Sequence, residues 1–296
     1  VAKLRLNSNG KESPVFFVVR NDASTGNILF QSSFTTSAAY NRYGGYSLYD
    51  SSSTGGLRAY KVSFDRPSAE LEEYSNLLRY EYNMIRWLES QGYDVSYVTN
   101  LDVHTNPSRL SQHKVLLDAG HNEYWSLEMR NAVENARNAG MHLAFFSSNT
   151  AYWRVRFEPS TSGVANRVMV CYKSATPGDP VAPTYRFRDA PNNRPENALM
   201  GVMYIGDHGA LYGGFDHVVT NAADPYYAFT GLNNGDKLTG LVGYEWDAIV
   251  NNGFTPSGVV TLGSSVVTPT EIAPGIPSTA TQIAHAVRYT APSGAK

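Results

Sequence analysis

His121 and Glu123 stand two residues apart in the stretch GHNEYW, residues 120–125, directly after the apolar run 114–119 and before a segment with helical spacing from Ser126 to Asn138. A strand, a glycine turn and then an imidazole and a carboxylate is how an open α/β sheet presents a ligand crevice at the carboxyl ends of its strands. The same residues also read as a polar turn in which Ser126 caps a helix that carries Glu128 in its first turn. Three further oxygen and nitrogen donors, Tyr40, Asn149 and Glu245, fall at expected strand ends. Asn149 closes the run Phe145-Phe146-Ser147-Ser148 and is expected beside the Glu123 turn, since adjacent parallel strands end on the same edge; capping the strand end is its structural alternative. Glu245, between Tyr244 and Trp246, reads either as a general base with a raised pKa or as a surface glutamate between packed rings. Tyr40, Tyr43, Tyr46 and Tyr49 recur at every third position around Gly44-Gly45. Tyr43 and Tyr46, with Trp125 and Trp153, are the candidate substrate-binding aromatics.

Several chemistries are excluded by missing spacings. No His-Glu-x-x-His, no Gly-x-x-x-x-Gly-Lys loop and no Gly-x-Ser-x-Gly elbow is present. His121-x-Glu123 has the form of the zinc-deaminase motif, but its partner pair of cysteines cannot be made from the single cysteine, Cys171. That cysteine also excludes an intramolecular disulfide and lies in the strand-like run Arg167–Tyr172, which points to a buried, inert thiol.

The elements that position these groups follow from periodicity. Residues 15–19 (Val-Phe-Phe-Val-Val), 28–30, 94–98, 114–119 and 142–146 read as strands. Glu70 to Gln91 reads as a helix with Leu77, Leu78, Met84, Ile85 and Leu88 on one face and Gly92 as its stop. Residues 99–113 read as a connector, and Thr35 to Pro67 as a long aromatic loop, a lid or a packed Ω-loop. This order predicts an α/β fold with a doubly wound, mostly parallel sheet and helices on both faces over residues 1–155. Short apolar runs at 168–172, 199–205, 217–220, 259–262 and 283–289 predict a β-rich extension over 156–296, packed on that core within a single domain.

At 296 residues, 42% hydrophobic and 17% charged, the chain can bury a sizeable core. A net charge of -2 without a Lys/Arg run argues against nucleic-acid and membrane partners and leaves small neutral ligands. No run reaches the length of a transmembrane helix, and the chain opens on Val1 without a signal pattern. The Tyr/Gly-rich background favours a secreted or extracytoplasmic protein whose targeting segment is gone, with a cytoplasmic location as the alternative.

Four stretches, AAYNRYGGYSLYD (38–50), GHNEYW (120–125), SSNTAYWRVRFE (147–158) and GLVGYEWD (240–247), resemble the C-terminal region of the N,N-dimethylformamidase large subunit and the broad bacterial family named after it. The resemblance implies a fold similar to class I glutamine amidotransferases, a sheet class shared with flavodoxin-like proteins. It implies hydrolysis of an amide-like C–N bond at a mononuclear iron held by two tyrosinates and a glutamate, which are hard donors suited to Fe3+. On that basis Tyr40 and Glu123 match metal ligands, His121 and Asn149 match pocket residues that orient water and donate to an oxyanion, and Glu245 matches the water-activating carboxylate. Another divalent metal, or none, is the alternative for the cofactor. A secreted, carbohydrate-binding or polysaccharide-active accessory domain that uses Tyr43 and Tyr46 as a sugar platform, or a degenerate member, is the alternative for the function. The second metal tyrosine of the family is expected just before Val1, and residues 289–296 resemble the approach to a further strand, so a chain shortened at both ends is expected. Asn122 stands where the family often has proline and is expected to loosen the turn.

Overall fold

The computed structural model describes residues 2–5, 10, 12–68, 77–209 and 214–296. In chain order the strands of the first part are β1 (Ala2–Arg5), β2 (Glu12–Val15), β3 (Ile28–Ser32), β4 (Lys61–Ser63), β5 (Val95–Thr99), β6 (Val115–His121), β7 (Tyr124–Ser126), β8 (His142–Ser148) and β9 (Trp153–Glu158). They are followed by β10 (Val168–Val170), β11 (Met203–Asp207), β12 (Phe215–Val218), β13 (Lys237–Val242), β14 (Glu245–Ala248), β15 (Val260–Val267), β16 (Glu271–Ile272) and β17 (Gln282–Arg288). The α-helices are α1 (Phe34–Tyr40), α2 (Tyr82–Ser90), α3 (Asn100–Thr105), α4 (Leu127–Asn138) and α5 (Asn197–Met200).

Four strands form a parallel sheet in the order β5-β3-β6-β8. The alternation along each strand sends its side chains to two cores. Leu29 and Leu116 pack with Val103 of α3 and Met129 and Val133 of α4 on one face. Phe30, Leu117 and Ala119 pack with Met84, Ile85 and Leu88 of α2 on the other. Numbered within the sheet the order is 2-1-3-4, so the chain reverses direction between β3 and β6, and the crevice at that reversal is where such sheets hold ligands. The remaining sheets are built mainly of antiparallel pairs, including β14-β11-β16 and β15-β17, with β7 and β9 pairing in parallel. The β-rich character expected for the C-terminal half is present in these short sheets. At the chain end Leu143 N donates to Lys296 O at 2.8 Å, so the last residue lies against β8.

Several expectations are corrected. The apolar run 15–19 is not a strand beyond Val15, and Phe17 and Val19 are exposed, because both places beside β3 are filled by β5 and β6. The aromatic loop begins with a helix, α1, whose Thr35, Thr36, Ala38 and Ala39 are buried; its β-branched and aromatic residues have weak helix propensity, and tertiary packing overrides it. The connector after β5 contains α3, closed by a capping box at Thr99 and Asp102. The helix expected from Glu70 lies outside the described residues over 69–76; from Leu77 to Glu81 it is one π-helical turn that leads into α2. Ser126 does cap α4, its Oγ accepting from Met129 N at 3.1 Å.

Asp118 lies wholly buried on β6, with Oδ2 accepting from Asn122 Nδ2 at 2.8 Å. Burial, with the neighbouring Glu81 carboxyl in addition, pushes it up to about 7 against that hydrogen bond. A carboxyl raised in the folded state contributes its stability in full below the unfolded pKa and loses it as pH rises through the folded one. Asp118→Asn removes that loss. Relative to the variant, the wild type is expected to lose on the order of 2–3 kcal/mol between pH 5 and pH 8 in urea unfolding, and parallel stability profiles for the two proteins would contradict this assignment.

Candidate functional site

The site forms where β3 and β6 end. β6 runs to His121, and Gly120 just before it adopts φ +94°, a left-handed conformation that side chains strain to reach. A methyl at Gly120 would also meet Tyr80 Cβ at 2.2 Å, so only glycine lets the π-helical turn close over the strand end. Glu81, wholly buried, fixes that turn by accepting from Ser33 N at 2.8 Å, Ser33 Oγ at 2.6 Å and Ser32 Oγ at 2.7 Å.

The turn after His121 is pinned. Asn122 is fully buried; its side chain accepts from Asn100 Nδ2 at 3.0 Å and donates to Asp118, and its carbonyl accepts from Ala151 N at 2.9 Å. The loosening expected of Asn122 is therefore absent, because its amide replaces the rigidity of a proline ring with two buried hydrogen bonds. Glu123 N donates to Thr36 Oγ1 of α1 at 2.9 Å, which ties this turn to the helix that carries Tyr40.

The Glu123 carboxylate is the centre of the cluster. Its Oε1 accepts from Trp153 Nε1 at 2.7 Å, and its Oε2 lies 3.0 Å from Tyr40 Oη and 2.8 Å from Tyr49 Oη. The two phenol oxygens are 2.7 Å apart and their rings stack at 4.3 Å. Tyr124 Oη donates to Tyr49 Oη at 2.6 Å. His121 lies between two carboxylates, Nε2 3.2 Å from Glu123 Oε2 and Nδ1 3.0 Å from Glu245 Oε2. Asn149, at φ +51°, donates from Nδ2 to Glu245 Oε1 at 3.2 Å and from its backbone N to Asp247 Oδ1 at 2.9 Å. Among the described residues its buried Oδ1 has no hydrogen-bond partner.

The charges follow from this geometry. Burial disfavours the His121 imidazolium, but Glu245 and Glu123 on either side outweigh it and hold the ring's pKa well above the usual value. Burial works against an ionised Glu123 too, yet His121, Lys173 and the Tyr49 hydroxyl keep it below the usual carboxylate range. Burial, helped by Glu123, raises Glu245 despite His121. Burial and then the Glu123 charge push Tyr40 and Tyr49 well above the ordinary phenol value, so both are neutral donors toward the carboxylate. Three short oxygen–oxygen contacts join Tyr40, Tyr49 and an ionised Glu123, yet the two hydroxyls carry only two protons. One O–H is therefore shared between two acceptors, or one pair of oxygens meets without a proton between them.

Tyr40, His121, Glu123, Asn149 and Glu245 thus meet in one buried cluster, and Trp153 joins it through its indole N–H. Trp125 is elsewhere: it is fully buried in the core with Met129 and Val133. Tyr43 and Tyr46 are about half exposed on the turn after α1, with their carbonyls held by Arg66, and among the described residues no hydrogen bond or ring contact given for them reaches the cluster. Cys171 is buried and its thiol is pushed up to about 12 by burial, as befits an inert group. The sequence did not single out Tyr49, Tyr124, Lys173 or Tyr244, whose ring lies 6.1 Å from that of His121. Tyr49 carried a signal, the three-residue tyrosine spacing, but its approach depends on the Leu48 N to Ala39 O hydrogen bond that folds the chain back on α1. Among the described residues no three His, Cys, Asp or Glu side chains converge as metal ligands, because His121 separates the two glutamates. No described helix is long and apolar enough to cross a membrane.

Fold and site together define an α/β protein with a buried carboxylate–phenol centre at the reversal point of a parallel sheet. A family model described as N,N-dimethylformamidase beta subunit-like, C-terminal, matches residues 1–296, and the chain belongs to that family. Comparison with curated proteins gave no match.

Gly120→Ala is expected to destabilise the protein by roughly 2–4 kcal/mol, from the left-handed backbone and the Tyr80 clash combined. Thermal or urea unfolding checks this, and a variant within about 0.5 kcal/mol of wild type would refute it.

Proposed function

We propose that this chain is a metal-dependent hydrolase of an amide-like C–N bond in a small molecule, with Tyr40 and Glu123 among the ligands of an iron ion. Membership of the dimethylformamidase-like family supports a hydrolase role. The observation that carries the finer reading is the gathering of buried phenol oxygens around one ionised carboxylate with one proton too few for their contacts. A cation among those oxygens would make up for the missing proton, and phenolate with carboxylate is the donor set of a hard ion. When bound, ferric iron supplies Lewis acidity to the carbonyl and lowers the pKa of water.

The chain's own groups supply the remaining chemistry. Glu245, raised by burial and linked to His121 Nδ1, is positioned to take a proton from water. His121, protonated between its two carboxylates, holds the proton that the departing amine nitrogen needs. Asn149 Nδ2 gives one N–H to Glu245 and keeps a second for a developing oxyanion, while its Oδ1 can receive a substrate N–H. Water adds to the carbonyl carbon, the C–N bond breaks, and carboxylic acid and amine leave. The resemblance to a glutamine amidotransferase-type sheet is part of this reading, supported by the 2-1-3-4 strand order.

Two variants test it with iron content and release of amine from a panel of small carboxamides and N-substituted formamides. Glu123→Ala is expected to lose both metal and hydrolysis, whereas Glu245→Gln keeps the metal and loses about 100-fold or more in kcat. Full iron occupancy in Glu123→Ala would overturn the ligand assignment.

A further inference from the structure

We propose that Tyr49 supplies a third oxygen donor of this centre, beside Tyr40 and Glu123. The inference rests on the metal reading above and adds a residue that neither the family motif nor the sequence spacing singles out as a ligand. Tyr40 Oη, Tyr49 Oη and Glu123 Oε2 form a nearly equilateral triangle with edges of 2.7, 2.8 and 3.0 Å. Three oxygens held about 2.0–2.1 Å from a six-coordinate ion are spaced about 2.8–3.0 Å apart, so the triangle has the size of one face of such a shell. Tyr49 is held there from all sides. Its ring stacks on Tyr40, its oxygen accepts from Tyr124 Oη, and the Lys173 ammonium lies 3.3 Å from its ring centroid.

Where no cation is bound Tyr49 is a neutral phenol, and two further contacts fix its oxygen and its ring. The Tyr124 hydroxyl points at its oxygen and the Lys173 ammonium lies over its ring face. The Lys173 ammonium is farther from the rings of Trp153 and Tyr124, at 5.0 and 5.1 Å, so its main aromatic partner is Tyr49. Lys173 has φ +52°, a conformation that costs a lysine energy and holds its side chain in this aromatic pocket.

The test is iron loading of the whole chain with ferric nitrilotriacetate, followed by desalting, metal analysis and the visible spectrum. Wild type, Tyr40→Phe, Tyr49→Phe and the exposed control Tyr43→Phe are compared. Each phenolate ligand contributes a charge-transfer transition, so Tyr49→Phe is expected to retain about half the wild-type band per iron and to bind iron at least about 10-fold more weakly. Tyr43→Phe is expected to match wild type. A full-strength, unshifted band in Tyr49→Phe, with the band weakened in Tyr40→Phe, would overturn the Tyr49 assignment and leave the metal reading standing. Failure of wild type to hold iron would overturn both. Lys173→Met keeps the Tyr49 hydroxyl and serves if Tyr49→Phe does not fold. Loss of the ammonium from the ring face raises the phenolate donor level, so the band is expected to move to longer wavelength, and an unmoved band would overturn the assignment.

Discussion

Everything at this site depends on keeping one carboxylate, Glu123, ionised inside the protein. An unpaired buried carboxylate would take up a proton. Glu123 avoids this by receiving an indole N–H and phenolic hydroxyls and by standing next to the His121 imidazolium. The charge then organises its neighbours: burial and then this charge keep Tyr40 and Tyr49 protonated, and Glu245 with Glu123 holds His121 protonated. The same crowding of oxygens that is awkward for two hydroxyls and a carboxylate is favourable for a cation.

The scaffold is arranged to hold that carboxylate still. The reversal in strand order between β3 and β6 brings α1 and the Gly120–Glu123 turn to one crevice. A chain of buried polar contacts fixes their relative position, from Asp118 through Asn122 and Asn100 to Thr35, and separately from Glu123 N to Thr36. These buried hydrogen bonds tie the sheet end, the turn and α1 together. The C-terminal half contributes the opposing wall: Glu245 and Asp247 on β14 meet Ser148 and Asn149 at the end of β8.

Much of this was readable in the residue order, and the remainder was not for identifiable reasons. The strands 28–32, 95–99, 115–121 and 142–148 and the helix after Ser126 announce themselves through apolar runs and a cap, because their burial is one- or two-sided and local. His121, Glu123 and Asn149 are legible as strand-end donors for the same reason. Residues 15–19 show the limit of that logic: an apolar run is not by itself a strand, and both places beside β3 are taken by β5 and β6. Tyr49 and Lys173 show another limit. Their roles arise from a fold-back after α1 and from a left-handed residue after β10, neither of which has a sequence period. Glu245 was ambiguous between surface and base; its burial on β14 decides in favour of an interior carboxylate.

The measurement that bears most directly on the central claim is iron K-edge X-ray absorption on the metal-loaded protein. The account predicts retained iron with a shell of oxygen and nitrogen scatterers only, since the one cysteine is buried with a raised pKa and the centre is made of phenol and carboxylate oxygens. Iron that washes away on desalting, or a shell containing sulfur or a second metal, would contradict it.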